Sequence, residues 1–281
     1  MIRHTHFNHK GHKTAATIHG PDGGTPVILL HGGGQTRHSW GKATAALARS
    51  GFCAYALDLR GHGDSDWAPD GDYRMDAYAN DLRNAFAEIG RPAVVVGASL
   101  GGMSALLAAG ESPEVPLLSL VLVDITSRAS SKGIEHIVGF MGGTLGGFDS
   151  IDDAADAVAR YLPHRKRPGD LSGLQKNLRQ RSDGRYYWHW DPRMHQEPSA
   201  DTQAAMDLRM EAAARRVQAP TLILRGGKSE LVTPEGAAAF VKLFKRGELA
   251  EIGGAHHMVA GDLNDPFSDA LVDFIARHAA R

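Results

Sequence analysis

Gly97-Ala98-Ser99-Leu100-Gly101 stands between the apolar run Ala93-Val94-Val95-Val96 and the stretch Gly102-Met103-Ser104-Ala105-Leu106-Leu107-Ala108-Ala109. The first flank reads as a buried strand and the second as a helix. No loop fits between them, so the chain must turn from strand into helix around Ser99. A turn that sharp forces the serine backbone into a strained conformation and lifts its hydroxyl clear of the sheet. Gly97 and Gly101 remove side chains that would otherwise collide there. The helix start aims free N–H groups and its positive dipole end at the same spot. A serine that merely caps the helix is the plainer reading. The elements on both sides favour a presented nucleophile.

The rest of the first half repeats this alternation. Pro26–Leu30, Phe52–Leu57 and Leu118–Val123 read as buried strands, with helical spacing over Ser39–Ala48 and Met75–Ile89. Strands and helices in alternation predict an α/β fold: a mostly parallel central sheet with helices on both faces. Residues 1–20 are polar and fit an edge hairpin. From Ser127 to Arg216 amphipathic helix dominates and no strong buried strand occurs. Strand signals return at Pro220–Arg225 and Glu248–Ile252, followed by a helix over Asp265–His278. The expected organisation is a core of residues 1–126 and 217–281, with a helical cap of residues 127–216 inserted after the sixth strand.

A serine nucleophile needs a base and an acid to orient that base. His257 follows the last strand, where open α/β sheets gather their chemistry. It is preferred over His256 because Met258-Val259 continues it with an apolar run. Glu230, just after the strand over Pro220–Arg225, is the expected acid, and the order Ser99, Glu230, His257 suits this architecture. Asp124, at the tip of Leu122-Val123-Asp124, is the rival. Two backbone amides are expected to hold a developing oxyanion, each worth ~10²–10³ in rate. One is Leu100. The other comes from His31-Gly32-Gly33-Gly34, with Gly33 preferred and Gly34 as the alternative.

These marks, together with the loop Asp58-Leu59-Arg60-Gly61-His62-Gly63-Asp64-Ser65, make the chain resemble the α/β-hydrolase family over nearly all of its length except the cap. The resemblance implies a serine esterase working through an acyl-enzyme, with no cofactor and no metal. Family members usually carry aspartate where Glu230 stands. Carbon–carbon bond, lactone and thioester hydrolases of the same fold, and a catalytically weak ligand-binding homologue, are the alternatives. Met258, where carbon–carbon hydrolases often have an aromatic residue, lowers the first of these. Ser99 argues against relatives that use an aspartate nucleophile.

With 42% hydrophobic residues, 22% charged residues and a net charge of −1, the 281-residue chain has material for a core and no basic excess. Nucleic acid and anionic membranes are therefore not expected partners. The expected partner is a small-molecule substrate, with the chain as monomer or homodimer. The single cysteine, Cys53, reads as a buried strand thiol. No apolar leader opens the sequence, so a cytoplasmic location is expected. Trp188 and Trp190 are candidate pocket residues beside Gly34, or else they staple the cap to the core. His4, His6, His9 and His12 lack the spacing of a metal site and read as a solvated terminus. Asp58 and Arg60 are expected to hold their loop in shape.

Overall fold

The computed structural model describes residues 2–9, 11–195, 199–259 and 264–278. Eight strands form one sheet: β1 (Ile2–His9), β2 (His12–His19), β3 (Pro26–Leu30), β4 (Cys53–Leu57), β5 (Ala93–Ala98), β6 (Leu117–Val123), β9 (Thr221–Gly226) and β10 (Gly247–Ile252). Their order is β1-β2-β4-β3-β5-β6-β9-β10. From β4 to β10 every neighbouring pair is parallel, and the antiparallel β1–β2 hairpin closes one edge through β2 against β4. The N-terminal histidines are thus strand residues of an edge hairpin.

Both faces of the sheet are covered along its interior strands, which explains their uninterrupted apolar runs. Successive residues alternate between two buried layers. Ile28, Leu30 and Val95 face one layer with Phe86, Leu106 and Phe240. Val27, Leu29, Val94 and Val96 face the other with Leu47, Phe267 and Phe274. The first layer is supplied by α2 (Met75–Ile89), α3 (Leu100–Gly110) and α8 (Pro234–Val241). The second is supplied by α1 (Gly41–Arg49) and α9 (Asn264–His278). Cys53 is buried in β4.

Between β6 and β9 the chain builds α4 (Ser131–Gly143), α5 (Ile151–Tyr161), the short α6 (Ser172–Gln175), a hairpin of β7 (Leu178–Gln180) and β8 (Tyr186–Trp188), and α7 (Ala200–Arg216). Two features depart from the expected helical cap. The hairpin lies in its middle, and α7 packs with the core. Met210, Ala213 and Ala214 of α7 join the first layer. A Cβ on Gly110 of α3 would fall 2.3 Å from the Ala213 carbonyl oxygen, so the two helices touch backbone to backbone. Among the described residues, no helix is long and apolar enough to cross a membrane.

Candidate active site

Ser99 sits between the end of β5 and the start of α3 with φ 46° and ψ −117°. Only one other described non-glycine residue, Asp124 at φ 50°, has a positive φ. Holding a serine there costs about 1–3 kcal/mol, and the packing around it supplies the restraint. A Cβ on Gly97 would lie 2.5 Å from the Gly101 carbonyl oxygen. A Cβ on Gly101 would lie 2.4 Å from the Leu30 carbonyl oxygen. The Gly101 amide donates to the His31 carbonyl (3.1 Å), tying the helix start to the end of β3. The Ser99 amide donates to the Val123 carbonyl (3.3 Å), so the next residue of that neighbouring chain, Asp124, is brought beside the turn.

The histidine doublet meets two carboxylates, and the pairing differs from the expected one. His257 Nδ1–H donates to Asp124 Oδ2 at 2.7 Å. Glu230, expected to orient His257, instead accepts from Nδ1 of His256. Sheet order is the physical reason. β6 lies beside β9, so Asp124 leaves its strand facing Gly226, whose amide donates to Oδ1 at 2.9 Å. The Ser229 hydroxyl donates to Oδ2 at 2.5 Å. Asp124 is wholly buried and holds three donors, whereas the Glu230 side chain is 53% exposed. Burial pushes the Glu230 carboxyl upward, but the bond from His256, backbone hydrogen bonds and the His256 charge together outweigh it and leave the net shift downward.

The glycine loop after β3 presents its amides unequally. The Gly34 amide donates to His62 Nε2 (3.1 Å) and the Gly32 amide to Gln35 Oε1 (3.3 Å). Among the described residues the Gly33 and Leu100 amides have no acceptor, and a Cβ on Gly33 would lie 3.9 Å from the Leu100 side chain. These are the two amides preferred from the sequence, and in the structure neither is engaged by an acceptor among the described residues. Gly34 is committed elsewhere.

Two buried histidines shape this loop. His31 Nδ1–H donates to the Gly32 carbonyl (2.8 Å) while Nε2 accepts from Leu59 (3.0 Å). His62 Nδ1–H donates to the Arg60 carbonyl (3.0 Å) while Nε2 accepts from Gly34. Each ring therefore works only as neutral imidazole. Burial, with Arg37 adding to it, lowers His31 from 6.5 to about 4. Burial, with His31 adding to it, lowers His62 from 6.5 to about 3. Both groups bind protons more readily when unfolded, so their contribution is complete above 6.5 and is lost as pH falls through the folded values. The urea midpoint is expected to drop between about pH 7 and about pH 5, and to drop less in His62→Gln. Equal slopes in the two proteins would show that His62 has no share in that drop.

The loop over residues 58–65 is held by charge. Asp58, wholly buried, pairs with the Arg37 guanidinium and accepts from the Arg37 amide at 2.6 Å. Arg60 grips Asp81 at 2.6 Å. Arg37, which no sequence motif marks, clamps the loop to the start of the helical turn after the glycines.

The segment between β6 and β9 reaches this loop just after its hairpin. Gly63 donates to the His189 carbonyl (2.9 Å), and Asp191 donates to the Gly61 carbonyl (2.8 Å). Trp190 is buried, and a Cβ on Gly34 would lie 3.8 Å from both Trp190 Nε1 and Met141 Cε. Trp188 does something else: its indole N–H donates to Thr144 Oγ1 (2.8 Å) and its ring meets Phe148 edge-on at 5.3 Å, within a separate apolar cluster of the segment between β6 and β9. Of the two tryptophans, only Trp190 borders the glycine loop. A cavity of about 420 Å³ lies between α4 and α5, lined by Glu135, His136, Phe140, Arg160 and Tyr161 among others, rather than at the serine turn.

Esterase Rv0045c of Mycobacterium tuberculosis is 32% identical over 219 residues, covering 75% of this chain and 69% of its own. The sn-1-specific diacylglycerol lipase ABHD11 of Mus musculus is 30% identical, covering 89% of this chain and 80% of its own. Among solved structures, E-2-(acetamidomethylene)succinate hydrolase superposes with a TM-score of 0.84 at 22% identity, covering 98% of this chain and 100% of that one. Residues 25–262 match the family described as alpha/beta hydrolase fold, and the chain belongs to that family.

Proposed function

We propose that this ester-hydrolysing α/β hydrolase cleaves a carboxylic ester through an acyl-enzyme on Ser99, with His257 as base and Asp124 as the acid that orients it. The observation that carries the reading is Ser99 at φ 46°, held at the turn against Gly32, whose added Cβ would lie 3.4 Å from that of Ser99, with the Gly33 and Leu100 amides unengaged. With Nδ1 committed to Asp124, Nε2 is the His257 nitrogen that takes the serine proton. The alkoxide attacks the ester carbonyl, and the tetrahedral oxyanion sits against the two amides. His257 then returns the proton to the leaving alcohol, and water repeats the sequence on the acyl-enzyme. Glu230 has no part in this chain of proton transfers.

The esterase and lipase relatives support ester chemistry in preference to carbon–carbon, lactone or thioester cleavage. Met141 and Trp190 beside Gly34 give the oxyanion side an apolar wall, which suits a small or medium apolar substrate. A series of p-nitrophenyl esters of increasing acyl length tests this directly. Short or medium acyl chains are expected to turn over, and a fluorophosphonate probe is expected to label Ser99 alone. A protein that leaves every ester intact and takes up no probe is the ligand-binding homologue instead.

A further inference from the structure

His256 and Glu230 have no part in the proposed proton transfers, and they do not stand alone. His164, in the cap loop that follows α5, lays its ring on His256 with centroids 3.5 Å apart and planes 10° from parallel. One ligand atom each from His164, Glu230 and His256 lie within 4.8 Å of one another. The three come from distant parts of the chain: one from the cap, one from the loop after β9, and one from the loop after β10. We infer that they form a transition-metal site that bridges cap and core, and that Zn²⁺ bound there slows ester hydrolysis.

The donor set selects the ion. Two imidazole nitrogens and one carboxylate oxygen suit Zn²⁺, which commonly takes three protein ligands and a water, whereas Mg²⁺ and Ca²⁺ require oxygen donors. Zinc bonds of about 2.0–2.2 Å require Glu230 and His256 to part from their hydrogen bond and the two stacked rings to turn until their nitrogen lone pairs converge, which side-chain rotation supplies. Access is open. The Glu230 side chain is 53% exposed and that of His256 20%, so an ion arrives from solvent without unfolding anything. It replaces the proton between Glu230 and His256 Nδ1, and that proton passes to Nε2 of the same ring. The neighbouring guanidinium of Arg165 is engaged with the Met258 carbonyl (3.3 Å), which places a second cap contact on the same histidine loop.

The consequence follows from the next residue in the chain. His256 adjoins His257, so an ion that fastens His164 to His256 pins the cap loop onto the loop carrying the proposed base. Substrate must then enter past a closed cap. The inhibitory effect rests on the hydrolase reading, but the binding of the ion does not.

Calorimetric titration of the metal-free full chain with ZnCl₂ keeps the two apart. One ion per chain is expected, with affinity reduced by about tenfold or more in both His164→Ala and Glu230→Gln, and with no response to MgCl₂. Co²⁺ in place of Zn²⁺ is expected to give visible absorption bands that the His164→Ala variant lacks. The rate of p-nitrophenyl ester hydrolysis is expected to fall with the calorimetric midpoint in wild type and to withstand the same Zn²⁺ in His164→Ala. Stoichiometric binding that is absent, or equally tight in both variants because the ion sits on His257 or the β1–β2 histidines, overturns the site. Binding as described with an unaltered rate overturns the inhibition. Binding as described in a chain that hydrolyses no ester counts against the hydrolase reading alone and leaves the site standing.

Discussion

Ser99→Ala is expected to lower kcat/KM for a short-chain aryl ester by about 10⁴–10⁶-fold while the protein folds as before. The loss is large because, in the proposed mechanism, the hydroxyl is the atom that bonds to the substrate. The amides of Gly33 and Leu100 remain, and in the proposed site they sustain only the residual rate that oxyanion stabilisation gives a bound ester and water. Folding is spared because Ser99 makes no side-chain hydrogen bond at the helix start, so alanine removes nothing the turn depends on. Initial rates and thermal melts on the same preparations decide the matter. A variant that retains a tenth of the wild-type rate excludes Ser99 as the nucleophile.

A companion variant reads the strain itself. Glycine at position 99 adopts φ 46° without a Cβ penalty, which relieves about 1–3 kcal/mol, while its greater freedom in the unfolded chain costs about 0.5–1 kcal/mol. The relief outweighs the cost. Ser99→Gly is therefore expected to be inactive like the alanine variant, yet more stable than it by about 1 kcal/mol in urea titration.

Much of the fold was legible because the interior strands are buried on both faces. Val27–Leu30 and Ala93–Val96 carry apolar residues at every position, a pattern a half-exposed strand does not show. The turn at Ser99 was legible for a similar reason: its glycines are required by backbone contact, and the sequence displays them. The place of α7 was less visible. It meets the core through Ala213 and Ala214, and close backbone approach through small residues leaves almost no hydrophobic signature to distinguish a core helix from a cap helix. The cap hairpin was hidden because its strands are three residues each, too short for alternation to show. Arg37 went unread because its meaning lies in Asp58, which only the sheet brings to it.

The carboxylate that meets His257 was the hardest residue to read, since two carboxylates and two adjacent histidines admit either pairing along the chain. Both Asp124 and Glu230 follow strands that end at the same edge of the sheet. What separates them is lateral: β6 runs beside β9, and the Gly226 amide and Ser229 hydroxyl close on Asp124. No local pattern around either residue records that neighbourhood.

The two carboxylates should therefore respond very differently to loss of charge. Asp124→Asn is expected to lower kcat by about 10⁴-fold with little change in KM, while Glu230→Gln stays within about threefold of wild type. Asparagine fills the same volume, but at Oδ2 it substitutes an amide donor for the acceptor that now receives His257 Nδ1–H and the Ser229 hydroxyl. The imidazole must then carry its proton on Nε2, where it cannot accept the proton of Ser99 as the proposed mechanism requires. Burial enlarges the effect, because no water reaches a fully enclosed carboxylate to take over its role. Glu230 has the opposite circumstances. Its side chain is half in solvent, its partner is His256, and an exposed pair of this kind contributes about 0–1 kcal/mol. Steady-state kinetics of both variants on one ester, with melts to confirm folding, distinguish the carboxylates. If the order came out reversed, Glu230 crippling the enzyme and Asp124 sparing it, His257 would have to leave Asp124 during turnover and find Glu230 in place of His256.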